Sequence, residues 1–170
     1  MEYLVIDGYN VINQWTDLFD LKKDSLEDCR DRLLNMLSNY QGYKDIEIIV
    51  VFDAYMQKGG SNRIQDFDKL KVVYTKEGET ADSFIERFVY LHGRSNLVKV
   101  VTSDFLEQII TMSSGGIRVS PREFRLEIQT DLKAANESGY KHKSPIKSNE
   151  IMSKVSPDIY EKLDKIRKGK

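Results

Sequence analysis

Three apolar runs of strand length each lead into an aspartate, and that pattern constrains the fold more than anything else in the chain. Tyr3-Leu4-Val5-Ile6 leads to Asp7, and Ile46 to Phe52 leads to Asp53. Leu97 to Val101 leads through Thr102-Ser103 to Asp104. Nearly continuous apolar strands suit a sheet covered on both faces, as parallel sheets are. Helical patterns lie between them. Ser25 to Gln41 repeats Leu26, Cys29, Leu33, Met36, Leu37 and Tyr40 at three- and four-residue spacing. Asp24 with Glu27 resembles a capping box there, and Gly42 supplies a stop. Gly78-Glu79-Thr80-Ala81-Asp82 opens a helix whose inner face is Ala81, Phe84, Ile85, Phe88 and Val89. An apolar helix follows Asp104 to about Met112. Ser120-Pro121-Arg122-Glu123 combines an N-cap, a proline in first position and a closing glutamate.

The weaker segments complete the reading. Leu70 to Thr75 and Ile117 to Val119 read as short strands, and Ser156 to Lys168 as a last helix. The stretch after Asn10, with Trp15 and Phe19, reads as a loop, as does the polar stretch 54–67. This order predicts a three-layer α/β fold with a mainly parallel central sheet and helices on both faces. At 170 residues the chain is expected to form one domain over 1–139. A basic linker and C-terminal helix, 140–170, are expected to pack on that domain. From 131 onward there are ten Lys or Arg against six Asp or Glu, in a chain of net charge −1. An acidic body with a basic tail suits metal capture and attraction to a polyanion. No apolar run is long enough for a bilayer, and the start lacks signal-peptide character, so a cytoplasmic protein is expected. The single Cys29 sits on an apolar helix stripe and reads as a small core residue.

Ligands of open parallel sheets bind at the carboxyl ends of the strands. Asp7, Asp53 and Asp104 fall there, and Glu79 and Asp82, three apart, share the first turn of a helix. Five carboxylates on one edge cannot all stay ionised without compensation. An oxygen-only donor set, with no His or Cys nearby, selects Mg²⁺ or Mn²⁺. Carboxylate-held metals serve phosphodiester hydrolysis by activating water and stabilising the leaving oxygen. A phospho-receiver domain, with Asp53 as its phosphorylated group, is a weaker alternative, because Gly8-Tyr9-Asn10 replaces its acidic pair. A haloacid-type site needs an Asp where Tyr9 stands. No P-loop or dinucleotide fingerprint occurs, so no nucleotide cofactor is expected. Tyr9, Trp15, Tyr55, Lys58 and Arg63 lie in stretches after the acid-bearing strands, and Arg118 and Arg122 flank a later turn. Such residues stack bases and track phosphates, although for Tyr9 packing on the sheet edge is equally open.

Val5-Ile6-Asp7-Gly8-Tyr9-Asn10 resembles the signature of the NYN nucleases, relatives of the PIN domain. Val51-Phe52-Asp53-Ala54, Thr75 to Asp82, Val101-Thr102-Ser103-Asp104 and Arg118 to Phe124 resemble the YacP-like branch, as does the closing basic helix. The resemblance runs through nearly the whole chain. It implies a PIN-like sheet, Mg²⁺- or Mn²⁺-dependent cleavage of single-stranded RNA, and action on mRNA at the translating ribosome. By position it implies Asp7, Asp82 and Asp104 as principal metal ligands, with Glu79 and Asp53 completing the acidic ring. Asn10 and Ser103 would orient a carboxylate or phosphate. Arg118, Arg122, Lys165, Arg167 and Lys168 would contact RNA or ribosome. A non-catalytic RNA or ribosome adaptor with a relic acidic pocket is the alternative of a different class.

Overall fold

The apolar runs lie side by side, as their composition requires. The computed structural model describes residues 1–53, 64–138 and 157–169. The central strand is β1 (Glu2–Asp7), flanked in parallel by β2 (Glu47–Phe52) and β5 (Leu97–Val101). Outside β2 lies β4 (Leu70–Tyr74), also parallel, and then β3 (Ile64–Phe67), antiparallel to β4. On the other side β6 (Ile117–Val119) pairs in parallel with β5. The sheet order is therefore β3-β4-β2-β1-β5-β6. Within the parallel part the chain runs outward from β1 in one direction through β2 and β4, then returns to the other side of β1. The switch point falls between β1 and β5. This is the Rossmann-type winding; a receiver domain has its first strand between the second and third, so the phospho-receiver reading falls here.

Side chains alternate across the sheet. Leu4, Ile6, Ile48, Val50, Phe52, Val72 and Tyr74 join one core cluster. Tyr3, Val5, Ile49, Val51, Val73, Val98 and Val100 join the other. The first cluster packs against α1 (Gly8–Gln14), α2 (Leu26–Gln41) and α5 (Pro121–Glu137). The second packs against α3 (Ala81–His92) and α6 (Pro157–Arg167), through Phe84, Phe88, Leu163 and Ile166. Cys29 is fully buried in the first cluster, as its stripe position predicts.

Several local readings need correction. The stretch after Asp7 is a helix at once: Asp7 is the N-cap of α1, accepting from the Asn10 N–H at 3.3 Å. Trp15 and Phe19 are core residues, and the Trp15 indole N–H donates to the Pro121 carbonyl at 2.9 Å. The α2 cap is Ser25, accepting from the Asp28 N–H, while Asp24 accepts from Arg32 at 2.8 Å instead. Ile64–Phe67, within the expected loop, is strand β3; Asp66 stands opposite Lys71 in register, and the two form an ion pair. That cross-strand pair neutralises a lysine that the core would otherwise reject. The capping box at Ser120 forms in full: Glu123 N–H donates to Ser120 Oγ, and Ser120 N–H donates to Glu123 Oε2.

Candidate metal centre

Three elements deliver acids to one point at the switch. Asp7 ends the central strand. Asp82 lies in the first turn of α3, whose N-cap is Thr80, so Asp82 itself is not used for capping. Glu107 lies in the first turn of α4 (Phe105–Ser113), whose N-cap is Asp104. One carboxylate oxygen from each of Asp7, Asp82 and Glu107 lies within 4.8 Å of the others. Asp82 is exposed to solvent, whereas Asp7 is 9% exposed and Glu107 4%. The three thus form a cup with a buried floor and an open rim.

Burial and mutual repulsion decide the charge state. Burial is the main cause that lifts the Asp7 carboxyl to about 7; the Asn10 N–H opposes it, and Asp82 and Asp53 add to it. Burial likewise pushes Glu107 to about 8, with the Thr102 hydroxyl opposing and Asp82 and Asp7 adding. The Thr102 hydroxyl does not offset the burial of Glu107. Buried carboxylates with too few donors are costly, and a divalent cation would remove that cost. The donor set is oxygen alone, which fits a hard cation such as Mg²⁺ or Mn²⁺.

The walls of the cup are tied together across the switch point. The Asn10 amide NH₂ donates to Ser103 Oγ at 2.9 Å, and the Ser103 N–H donates to Asn10 Oδ1 at 2.9 Å. This reciprocal pair joins the first turn of α1 to the segment after β5. Thr102 Oγ1 accepts from the Asp104 N–H at 3.1 Å, and Asp104 Oδ1 accepts from the Glu107 N–H at 3.1 Å. Asp104 thus engages one carboxylate oxygen at the helix end, and Glu107, a turn later, is the acid of this helix that lies with Asp7 and Asp82.

Comparison with known proteins bears on what the cup belongs to. Residues 4–168 match the model of the YacP-like NYN domain. The chain belongs to the YacP-like NYN domain family. It is 40% identical over 131 residues to the uncharacterized protein YacP of Bacillus subtilis, covering 76% of each chain. It is also similar to the crystal structure of Rae1 (YacP) from Bacillus subtilis, with TM-score 0.68 and 35% identity, over 99% of this chain and 96% of that one. A point mutant of that protein matches with TM-score 0.68 and 32% identity, over 98% and 92% of the two chains. NYN and related PIN-like domains are nuclease-type domains, and the α/β sheet seen here is theirs.

In this YacP-like chain the acids expected at the edge have separate fates. Asp7 and Asp82 converge. Asp53 follows β2 and acts electrostatically on Asp7. Glu79 is buried and ion-paired with Arg87, which also donates to the Ile166 carbonyl near the end of α6. Glu107, which the sequence reading passed over, completes the trio. Its signal was Asp104-x-x-Glu107, the pattern of a capping box. At Ser120 such a glutamate folds back onto the cap, but at Asp104 the cap N–H is already taken by Thr102, so the glutamate is released.

The expected RNA-facing residues also divide. Tyr9 is 7% exposed, packs on Phe52 at 4.9 Å between ring centroids, and its hydroxyl accepts from Arg30 at 3.0 Å. Of its two readings, packing is what the fold realises. Arg118 and Arg122 are exposed, Arg118 Nη1 lying 3.5 Å from Gln108 Oε1. Lys165 pairs with Glu161, and Arg167 and Lys168 both pair with Asp164. Tyr55, Lys58 and Arg63 lie outside the described residues. Among the described residues no helix is long and apolar enough to cross a membrane.

Proposed function

We propose that this protein is a metal-dependent endoribonuclease that cuts single-stranded RNA, with mRNA on the translating ribosome as its substrate. The observation that carries the reading is the Asp7–Asp82–Glu107 cup in a nuclease-type domain: two buried acids whose charge awaits a cation. Asp7, Asp82 and Glu107 would hold Mg²⁺ or Mn²⁺, with Asp53 beside them. When bound, such a cation acidifies water and offsets charge on the phosphoryl oxygens.

The chain's own residues do the rest. Asp7 is held by the Asn10 N–H through one oxygen, which fixes the plane of its carboxylate. The Asn10–Ser103 pair keeps the β1 and β5 ends at constant separation, so the acids on either side stay in register. Water adds to phosphorus as the opposite P–O bond breaks, giving a phosphate monoester and a hydroxyl end with no covalent enzyme intermediate. The proton released passes to solvent at the rim, where Asp82 is exposed. The ribosomal part of the reading is supported by the family resemblance and by the exposed Arg118 and Arg122.

The test is cleavage of single-stranded RNA by the purified protein with Mn²⁺, with and without ribosomes. Wild type is expected to cut, while Asp7→Asn and Glu107→Gln lose at least about 100-fold in rate. Undiminished cutting by either variant sinks the assignment. Folded wild type that binds RNA or ribosomes but neither cuts nor takes up Mn²⁺ supports the adaptor instead.

A further inference from the structure

Four of the eight arginines among the described residues are matched to carboxylates, and Arg94, Arg118 and Arg122 are exposed to solvent. Arg32 pairs with Asp24, Arg87 with Glu79, Arg125 with Asp17 and Arg167 with Asp164. Arg30 of α2 is different. It is half-buried, its Nη1 donates to the Tyr9 hydroxyl at 3.0 Å, and the Tyr74 hydroxyl also faces it. Glu27, one turn back, attracts it electrostatically. Removing a guanidinium from water is costly, and a carboxylate is its usual compensation. Here the groups that accept its hydrogen bonds are phenols.

The position matters as much as the partners. Tyr9, Phe52 and Tyr74 form a row of rings, with centroids 4.9 and 5.7 Å apart, across the carboxyl ends of β1, β2 and β4. Arg30 reaches this row from the face that α2 covers, whereas Asp82 and Glu107 come from α3 and α4. Tyr9 lies two residues after Asp7, so the arginine that it holds and the acid cup both adjoin the end of β1. A guanidinium carries five N–H donors in a planar fork that matches phosphate oxygens. Tyr9 holds one donor and thereby aims the fork.

We propose that Arg30 binds a backbone phosphate of single-stranded RNA beside the phosphodiester at the acid cup, with Tyr9 and Tyr74 as its positioning residues. The proposal rests on reading the cup as an RNA-cleaving centre. It supplies what that centre lacks: an acid cup repels a polyanion, and a fixed cation next to it sets the register of the strand.

The test uses the full chain in EDTA with a labelled short oligouridylate, its binding followed by fluorescence anisotropy over a range of KCl. Arg30→Gln is expected to weaken binding about tenfold. It should also remove about 0.7 from the slope of log affinity against log salt, the share of one phosphate contact on a single strand. Arg30→Lys keeps the charge and hence the slope, but loses affinity with the planar fork. Tyr9→Phe keeps the slope and weakens binding less. An unchanged slope in folded Arg30→Gln overturns the proposal and leaves Arg30 a packing residue. If Arg30→Gln does not fold, Arg30→Lys decides: lower affinity at equal slope supports the contact, and wild-type affinity overturns it. Cleavage by wild type beside Asp7→Asn is scored separately. A changed slope without cleavage removes the nuclease reading but keeps the phosphate contact, and cleavage with an unchanged slope does the reverse.

Discussion

Asp7 holds three roles at once: it ends the central strand, caps α1 and floors the acid cup. Its elevation to about 7, with Glu107 at about 8, has a direct consequence for stability. Both carboxyls bind protons more tightly in the folded state than in the unfolded chain, where they titrate near 4. Their stabilising contribution is therefore complete below about pH 4 and is lost as pH rises through about 7 and 8. The metal-free protein should melt at progressively lower temperature as pH climbs from 5 to 8.5. Glu107→Gln should flatten that decline, because a neutral amide need not lose a proton. Mn²⁺ should raise the wild-type melting temperature most at the alkaline end and should lose most of that effect in Glu107→Gln. Calorimetry in EDTA and in Mn²⁺ across this range checks all three, and a flat wild-type profile contradicts the assignment.

At the scale of elements, α4 is built inside out. Its buried positions are Glu107 and Thr111, while Phe105 is 72% exposed and Leu106, Ile109 and Met112 also face solvent. A helix read by apolar spacing alone would be turned about its axis, with Glu107 outside. The entry to α1 carries an equally local constraint. A Cβ at Gly8 would lie 2.2 Å from the Phe52 ring, so the first helical residue must be glycine for the strand to turn into the helix over that ring. Gly8→Ala is expected to cost about 1–3 kcal/mol in urea unfolding, by overpacking. It should also weaken Mn²⁺ binding, because Asp7 is the preceding residue. Loss of neither would mean that Phe52 yields freely. Gly78, at φ +81, makes the left-handed turn that leads to Glu79 and the α3 cap.

For the molecule as a whole, the question is whether the last helix belongs to the domain. Leu163 and Ile166 are buried against the same face as Phe84 and Phe88. Arg87 bridges buried Glu79 to the Ile166 carbonyl, so the end of α6 is connected to the segment that bears Asp82. We propose that α6 and the sheet form one cooperative unit. Leu163→Ala should then lower global stability by about 2–5 kcal/mol. In chemical unfolding, tryptophan fluorescence from Trp15, in the opposite core, should report that loss in a single transition coincident with far-ultraviolet circular dichroism. An early separate transition that leaves Trp15 unaffected would show α6 to be an independent appendage.

The sequence by itself determined the layers. Strands buried on both faces must be apolar throughout, and helices packed on one side must repeat at three and four, so the α/β class and all the parallel strands were legible. Asp7 and Asp82 were legible as acids brought to one edge, because strand ends and helix starts meet there. Tertiary structure decided what local pattern leaves open. Ile64–Phe67 is too short and polar to declare itself, and it exists as a strand because β4 offers a free edge and Lys71 needs Asp66. Asp104 and Glu107 form an ordinary capping pattern in sequence. Only the Thr102 hydroxyl, carried to the Asp104 N–H at the end of β5, frees Glu107 to turn inward and join Asp7.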